Sequence, residues 1–216
     1  MHISNNNRFK WVIKIKIIER GETMKIMNVK GTVDSLPSKE IIRRKVVNTL
    51  TDTFEKYGYL PLDTSILCYY DLLASKYSGG SEILKEVYTL KDQGDRTLGL
   101  RYDLTVPFSK VISMNAGKTI NLPFKRYEIG KVFRDGPVKL GRAREFYQCD
   151  VDACGTESPY AEIEYFMMTK EAFKKFDINS FKLLTFAESR SIVNLSPERK
   201  IVSLGNISTF TIVWSK

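Results

Sequence analysis

Between Ser38 and Tyr57 apolar residues fall about one helical turn apart, at Ile42, Val46, Leu50, Phe54 and Tyr57, and Gly58 follows as a stop. The spacing predicts an amphipathic helix of about 18 residues, opened by Ser38 after Pro37. Ser78-Gly79-Gly80 marks a turn, after which come a short helical or turn segment and a strand-like stretch from Glu86 to Leu90. A charged turn, Asp92 to Arg96, leads into the run Leu98 to Leu104, which reads as a strand. Thr105 is placed to cap a helix that carries Pro107 in its first turn, where the missing N–H costs nothing, and that ends near Gly117. Residues 124–134 and 145–153 read as two strands joined by the loop Asp135 to Arg144, which holds Gly136, Pro137 and Gly141. Ser158 and Pro159 then open a helix that runs to about Phe176. This order predicts an α+β fold, an antiparallel sheet flanked by helices, and argues against a doubly wound parallel sheet.

Residues 1–23 differ in character: Trp11, Ile13, Ile15 and Ile17 alternate with Lys14 and Lys16, a strand-like pattern in an N-terminal extension. Lysines interrupt its apolar stretch and no small-residue cleavage site follows, so it is not a signal peptide. The domain itself is expected to begin near Met24. Composition narrows the chemistry. The 216 residues are 43% hydrophobic and 27% charged, enough apolar material to bury a core. The net charge of +9 raises the question of nucleic acid, but the flanks 1–23 and 179–216 each hold five basic and two acidic residues and so carry +6 of it. The nearly balanced middle suits a local anion site better than a DNA-coating surface. Cys68, Cys149 and Cys154 lack CxxC spacing and read as reduced cytoplasmic thiols, and no apolar run is long enough to span a membrane. The single histidine, His2, excludes a Ser-His-Asp triad, a Cys-His pair and a His-rich metal site within this chain.

The remaining chemistry belongs to Arg, Asp, Glu, Gln and backbone. Period-two geometry places Arg101, Asp103 and Thr105 on one side of the first strand, and Phe146, Gln148, Asp150 and Asp152 on one side of a later one. Such alternation alone commonly marks a solvated face. The hairpin shifts the balance, because Arg134 ends one strand and Lys139, Arg142 and Arg144 populate the loop that follows. Guanidinium groups bind phosphate oxygens bidentately, so this arrangement suits a polyphosphate ligand, while Gln148 and Asp152 suit a ligand that also bears an ammonium or ring N–H.

The runs KGTVDSLP (30–37), LGLRYDLTVPFSK (98–110) and especially FKRYEIGKVFRDGPVKLGRAREFYQCDVDACG (124–155) resemble the N-terminal half of the catalytic domain of the histidyl-tRNA synthetases, class II aminoacyl-tRNA synthetases. FDINSFKLL (176–184) continues the likeness. The resemblance implies a class II catalytic core over residues 24–187, incomplete, with an atypical tail at 188–216. It implies that Arg134 binds the α-phosphate of ATP and the developing adenylate, that Arg142 is a further ATP contact, and that Asp103, Thr105, Gln148 and Asp152 hold L-histidine. The implied reaction is histidine–tRNA ligation: histidine and ATP, with Mg²⁺ on the phosphates, give histidyl-adenylate and pyrophosphate, and histidine passes to tRNA-His. The family implies a cytoplasmic homodimer. A non-catalytic paralogue serves instead as the regulatory subunit of ATP phosphoribosyltransferase in histidine biosynthesis. The GR-x-REF loop exit favours the ligase, since a subunit that only senses histidine has no need to clamp ATP or tRNA.

The sequence departs from the family pattern in places. Ser65 stands in YLPLDTSILCYY where a proline is expected near the dimer interface, and no arginine-bearing glycine-rich motif, RGLDYY-like segment or anticodon-binding domain follows. The chain therefore reads as a truncated form with impaired or no activity, whose sheet lacks later strands and exposes an edge.

Overall fold

The computed structural model describes residues 26–75, 82–158 and 160–178 and the backbone of 207–213. The alternating segment 1–23, the Ser78 to Gly80 turn, Pro159 and FKLL (181–184) lie outside the described residues. Helix α1 (Pro37–Lys56) starts one residue earlier than Ser38, with Leu36 at the cap position and no side-chain cap bond. Pro37 takes the first turn, where its fixed φ is already helical, and Glu40 there and Lys56 in the last turn suit the helix dipole. At the far end Gly58 adopts a φ of 78°, and its N–H donates to Glu55 O at 2.9 Å, closing the helix. Leu50 and Phe54 of the apolar stripe are buried, whereas Ile42 lies exposed in a groove that it shares with Val46, Leu50, Phe173 and Phe176.

After α1 come β1 (Leu60–Pro61), β2 (Leu67–Tyr69), α2 (Tyr70–Ser75), a 3₁₀ turn (Glu82–Glu86), β3 (Thr89–Lys91) and β4 (Thr97–Leu100). Then follow α3 (Thr105–Asn115), the long strands β5 (Phe124–Phe133) and β6 (Glu145–Cys154), α4 (Tyr160–Lys175) and β7 (Ile207–Val213). Two sheets result, one in the order β1-β5-β6-β7 and a smaller one in the order β2-β4-β3. The fold is α+β as the sequence predicts. Its described strand pairs are antiparallel except for the two-residue pairing of β1 with β5, which is parallel. The β5–β6 pair runs unbroken from Phe124 opposite Cys154 to Phe133 opposite Glu145. The expected bare edge is not present on β6, because β7, from the C-terminal tail, pairs with it from Gln148 to Cys154.

One face of the β5–β6 pair is apolar. Tyr127, Cys149, Val151 and Ala153 pack there with Leu50 and Phe54 of α1 and with Ala161, Tyr165, Met168 and Ala172 of α4. Each fully buried large apolar side chain contributes roughly 1.5–3 kcal/mol, so this layer fixes the sheet against its helices. The smaller sheet has its own cluster of Cys68, Leu73, Val87, Tyr102 and Val106.

The strand read over Leu98 to Leu104 stops at Leu100, because there the chain crosses between the sheets. Arg101 N–H donates to Ile66 O at 2.9 Å and Arg101 O accepts from Phe133 N–H at 3.0 Å. Arg101, Asp103 and Thr105 are therefore not successive positions on one strand face. Thr105 is the first residue of α3, and the side chain that caps this helix is Asp103, whose Oδ1 accepts from Val106 N–H at 3.0 Å.

Candidate active site

Opposite the apolar layer, the other face of β5 and β6 is polar and nevertheless buried. Strand register sets Asp152 across from Arg126, Asp150 across from Glu128 and Gln148 across from Gly130. All five of these side chains are at most 5% exposed. Burying charge is costly unless each group is paired and hydrogen-bonded, so the pairings define the floor of the site.

Arg126 is fully buried. Its Nη2 pairs with Asp152 Oδ2 and donates to Leu104 O at 3.2 Å, its Nη1 lies 3.4 Å from Glu128 Oε2, and its guanidinium stacks 4.5 Å from the centre of the Phe108 ring. Arg101, 2% exposed, lies across the same face. Its Nη1 donates to Glu128 Oε1 (2.8 Å), Thr64 O (2.6 Å) and Thr64 Oγ1 (3.0 Å), and its Nε donates to Lys131 O (2.9 Å). Gly130 makes room for it: a Cβ there would sit 2.4 Å from Arg101 Nη2. Two guanidinium groups thus share this face with the carboxyls of Glu128, Asp150 and Asp152, a balance that favours a cationic or N–H-donating ligand. Gln148 Oε1 is buried with no hydrogen-bond partner among the described residues. An oxygen so placed is a ready acceptor for such a ligand.

Arg134 stands at the end of this face, one residue past β5. Its Nε donates to Tyr102 O at 3.1 Å, its guanidinium lies 5.1 Å from the centre of the Phe146 ring, and its backbone N–H donates to Arg144 O. The loop beyond is held rather than free. Arg142 Nη2 pairs with Glu86 Oε1 and Oε2 at 2.8 and 3.1 Å, Arg144 pairs with Asp135, and Arg144 N–H donates to Gly31 O. Gly31, at a φ of 88°, lets the N-terminal segment press onto Arg144.

The structure therefore brings Gln148 and Asp152 onto one buried floor with Arg134 at its end, and sets Asp103 and Thr105 at the start of α3 beside the Leu104 carbonyl that Arg126 grips. It sets Arg142 apart, paired outward with Glu86. Sequence reasoning missed Arg126, Glu128 and Thr64, whose polar character in a strand or loop reads as solvated surface. Hairpin arithmetic held the signal, since pairing Phe133 with Glu145 places Arg126 opposite Asp152.

The three cysteines do not offer nucleophiles. Burial pushes the thiols of Cys149 and Cys154 up, with Asp150 beside the first and Asp152 beside the second adding to the effect. Burial also raises the Tyr165 phenol, with Asp152 the next contributor. Among the described residues no group of three or more His, Cys, Asp or Glu side chains is placed to hold a metal ion.

Comparison with known proteins gives the family and the fold. A family model described as histidyl-tRNA synthetase matches residues 31–193. Histidine–tRNA ligase 1 of Bacillus cereus (strain ATCC 10987) is 52% identical over 196 residues, covering 88% of this chain and 44% of the relative, and that of Bacillus anthracis is 58% identical over 155 residues, covering 72% and 36%. Apo histidyl-tRNA synthetase of S. aureus superposes with a TM-score of 0.60 at 28% identity, over 72% of this chain and 36% of that one. A Bacillus halodurans structure titled as an ATP phosphoribosyltransferase regulatory subunit/histidyl-tRNA synthetase shares the fold, at a TM-score of 0.62 and 22% identity, over 71% of this chain and 39% of that one. The chain spans less than half the length of these relatives. With the family model covering most of its residues, the chain belongs to the histidyl-tRNA synthetase family.

Proposed function

We propose that this chain carries the histidine- and ATP-binding half of a histidine–tRNA ligase, as a partial class II catalytic domain over residues 24–187. The observation that carries the reading is the buried polar face of β5 and β6, which ends in Arg134 and opens onto a basic loop. L-histidine sits over Gln148 and Asp152 with Asp103 and Thr105 alongside, its N–H groups taken up by the carboxylates and by Gln148 Oε1. ATP lies toward the loop, with Arg134 on the α-phosphate and Arg142 joining the nucleotide once it releases Glu86.

The reaction is an in-line displacement. A carboxylate oxygen of histidine forms a bond to the α-phosphorus, the bond from that phosphorus to the bridging oxygen breaks, and pyrophosphate leaves with the electron pair. Arg134 stabilises the charge that develops on the α-phosphate oxygens. Magnesium enters as part of the substrate, MgATP. Transfer of the histidyl group to tRNA-His with release of AMP completes the ligation. No helix among the described residues is long and apolar enough to cross a membrane. Exposed apolar side chains at Ile26, Met27, Val33, Leu36, Leu67 and Tyr69 support a homodimer contact.

Histidine-dependent exchange of labelled pyrophosphate into ATP tests the reading. Exchange that falls by at least about 100-fold in Arg134→Ala is expected, the usual loss for a donor to transition-state charge. Absence of both exchange and histidine binding overturns it for this chain. Histidine binding without exchange would restrict the chain to ligand recognition, the behaviour of the regulatory paralogue.

A further inference from the structure

The histidine site is assembled from two pieces of chain far apart in sequence, the turn into α3 and the strand β6, and one side chain reaches both. Arg126 is fully buried, on neither piece, and its Nη2 is shared between the Asp152 carboxylate and the Leu104 carbonyl, which lies between Asp103 and Thr105. Its other terminal nitrogen faces Glu128, which is in turn held by Arg101 and by Thr64 Oγ1 and N–H. The ring of Phe108, in α3, covers the guanidinium face. With these contacts Arg126 has little freedom to move.

We propose that Arg126 is the positioning residue of the histidine site: by gripping Asp152 and the Leu104 carbonyl together it holds β6 and the start of α3 in one register and leaves Asp152 turned toward the ligand's N–H donors. This rests on the ligase reading. Arg126 does not touch substrate; it acts through Asp152 and through the backbone between Asp103 and Thr105. A lysine keeps the charge but has no planar fork to serve two acceptors at fixed positions.

The test is a double-mutant cycle on the full 216-residue chain, read by calorimetric titration with L-histidine and, as a control, with ATP. Arg126→Met and Asp152→Asn are each expected to weaken histidine binding by roughly 30-fold or more, the usual loss when one partner of a buried charge pair is removed. The double variant is expected to bind within about 3-fold of the weaker single variant, because both changes remove one and the same function. Arg126→Lys is expected to fall between wild type and Arg126→Met, and ATP affinity to stay unchanged throughout. Losses that simply multiply in the double variant overturn the proposal, since a merely structural arginine damages the site independently of Asp152. If Arg126→Met does not fold, the same cycle is run with Arg126→Lys.

Wild-type chain that binds no histidine would overturn the ligase reading, and the positioning role is then decided without ligand. The carboxyl carbon of Asp152, identified by its loss in Asp152→Asn, is followed by NMR against pH. The neighbouring Glu128, Asp150 and Asp103 carboxyls, the Cys154 thiol and the Tyr165 phenol are present in both chains compared. Protonation of Asp152 at a higher pH in the Arg126 variant supports the proposal, and an unmoved midpoint overturns it.

Discussion

Gly130 shows how a single hydrogen atom in place of a side chain sets the electrostatics of the site. The Cβ of an alanine would lie 2.4 Å from Arg101 Nη2 and 3.3 Å from its Cζ. A long side chain normally swings clear of such a contact at little cost. Arg101 is pinned by Thr64, Lys131 and Glu128, so moving it breaks the shorter of the two ion pairs of the buried Glu128 carboxylate. Breaking a buried pair costs roughly 3–5 kcal/mol, and at about 2–4 °C per kcal/mol for a chain of this size Gly130→Ala is expected to lower Tm by on the order of 10 °C in calorimetry. An unchanged Tm would mean that the guanidinium has a second resting place. The cysteines give a complementary residue-scale outcome. Cys149 is fully buried with its thiol pushed up by burial, so a thiol reagent at neutral pH should label it only after unfolding, as mass spectrometry before and after denaturant will show.

Between elements, α1 and α4 are tied at the rim of their apolar contact by Lys56, whose Nζ lies 2.9 Å from Glu171 Oε1, while Tyr57 and Lys175 also reach Glu171. The hydrogen bond from Lys56 holds the Glu171 carboxyl below its ordinary value of 4.5, and the same bond raises the Lys56 ammonium above 10.5. The lowered acid contributes stability that is fully present above pH 4.5 and is lost as pH falls through its folded value; the raised amine contributes below pH 10.5 and loses that as pH rises. Both groups are solvent-accessible, so the effect is small. Glu171→Gln should leave the midpoint of urea unfolding slightly lower at pH 7, and the difference from wild type should shrink as pH falls below 4.5. These helices were legible in the sequence because a 3.6-residue period survives noise: Leu50 and Phe54 of the predicted stripe do form the core. The long hairpin was legible for the same kind of reason. The start of α3 was less so, since Asp103 and Thr105 are both good capping residues and only the tertiary crossing at Arg101 decides between them. Arg126 and Glu128 stayed hidden because a charged residue in an alternating strand looks the same whether its face meets water or a partner carboxylate.

For the whole molecule, the polar face depends on both neighbours of β6. On one side β5 sets the register that brings Arg126 to Asp152, and on the other β7 pairs with the whole stretch from Gln148 to Cys154. A strand with one bare edge presents unpaired N–H and C=O groups that recruit another chain. Here that strand also holds Gln148, Asp150 and Asp152, so the tail segment and the site share one support. Ending the chain at residue 206 removes β7 and is expected to have two coupled consequences: self-association, seen as a rise in mass by light scattering over the micromolar range, and a loss of histidine affinity that grows with it. Restoring the missing pairings in trans, with a peptide of residues 207–213, should reverse both. A shortened chain that keeps the mass and the histidine affinity of the parent would show that β6 is held by β5 and the apolar layer alone, and that the tail supports neither the sheet nor the site.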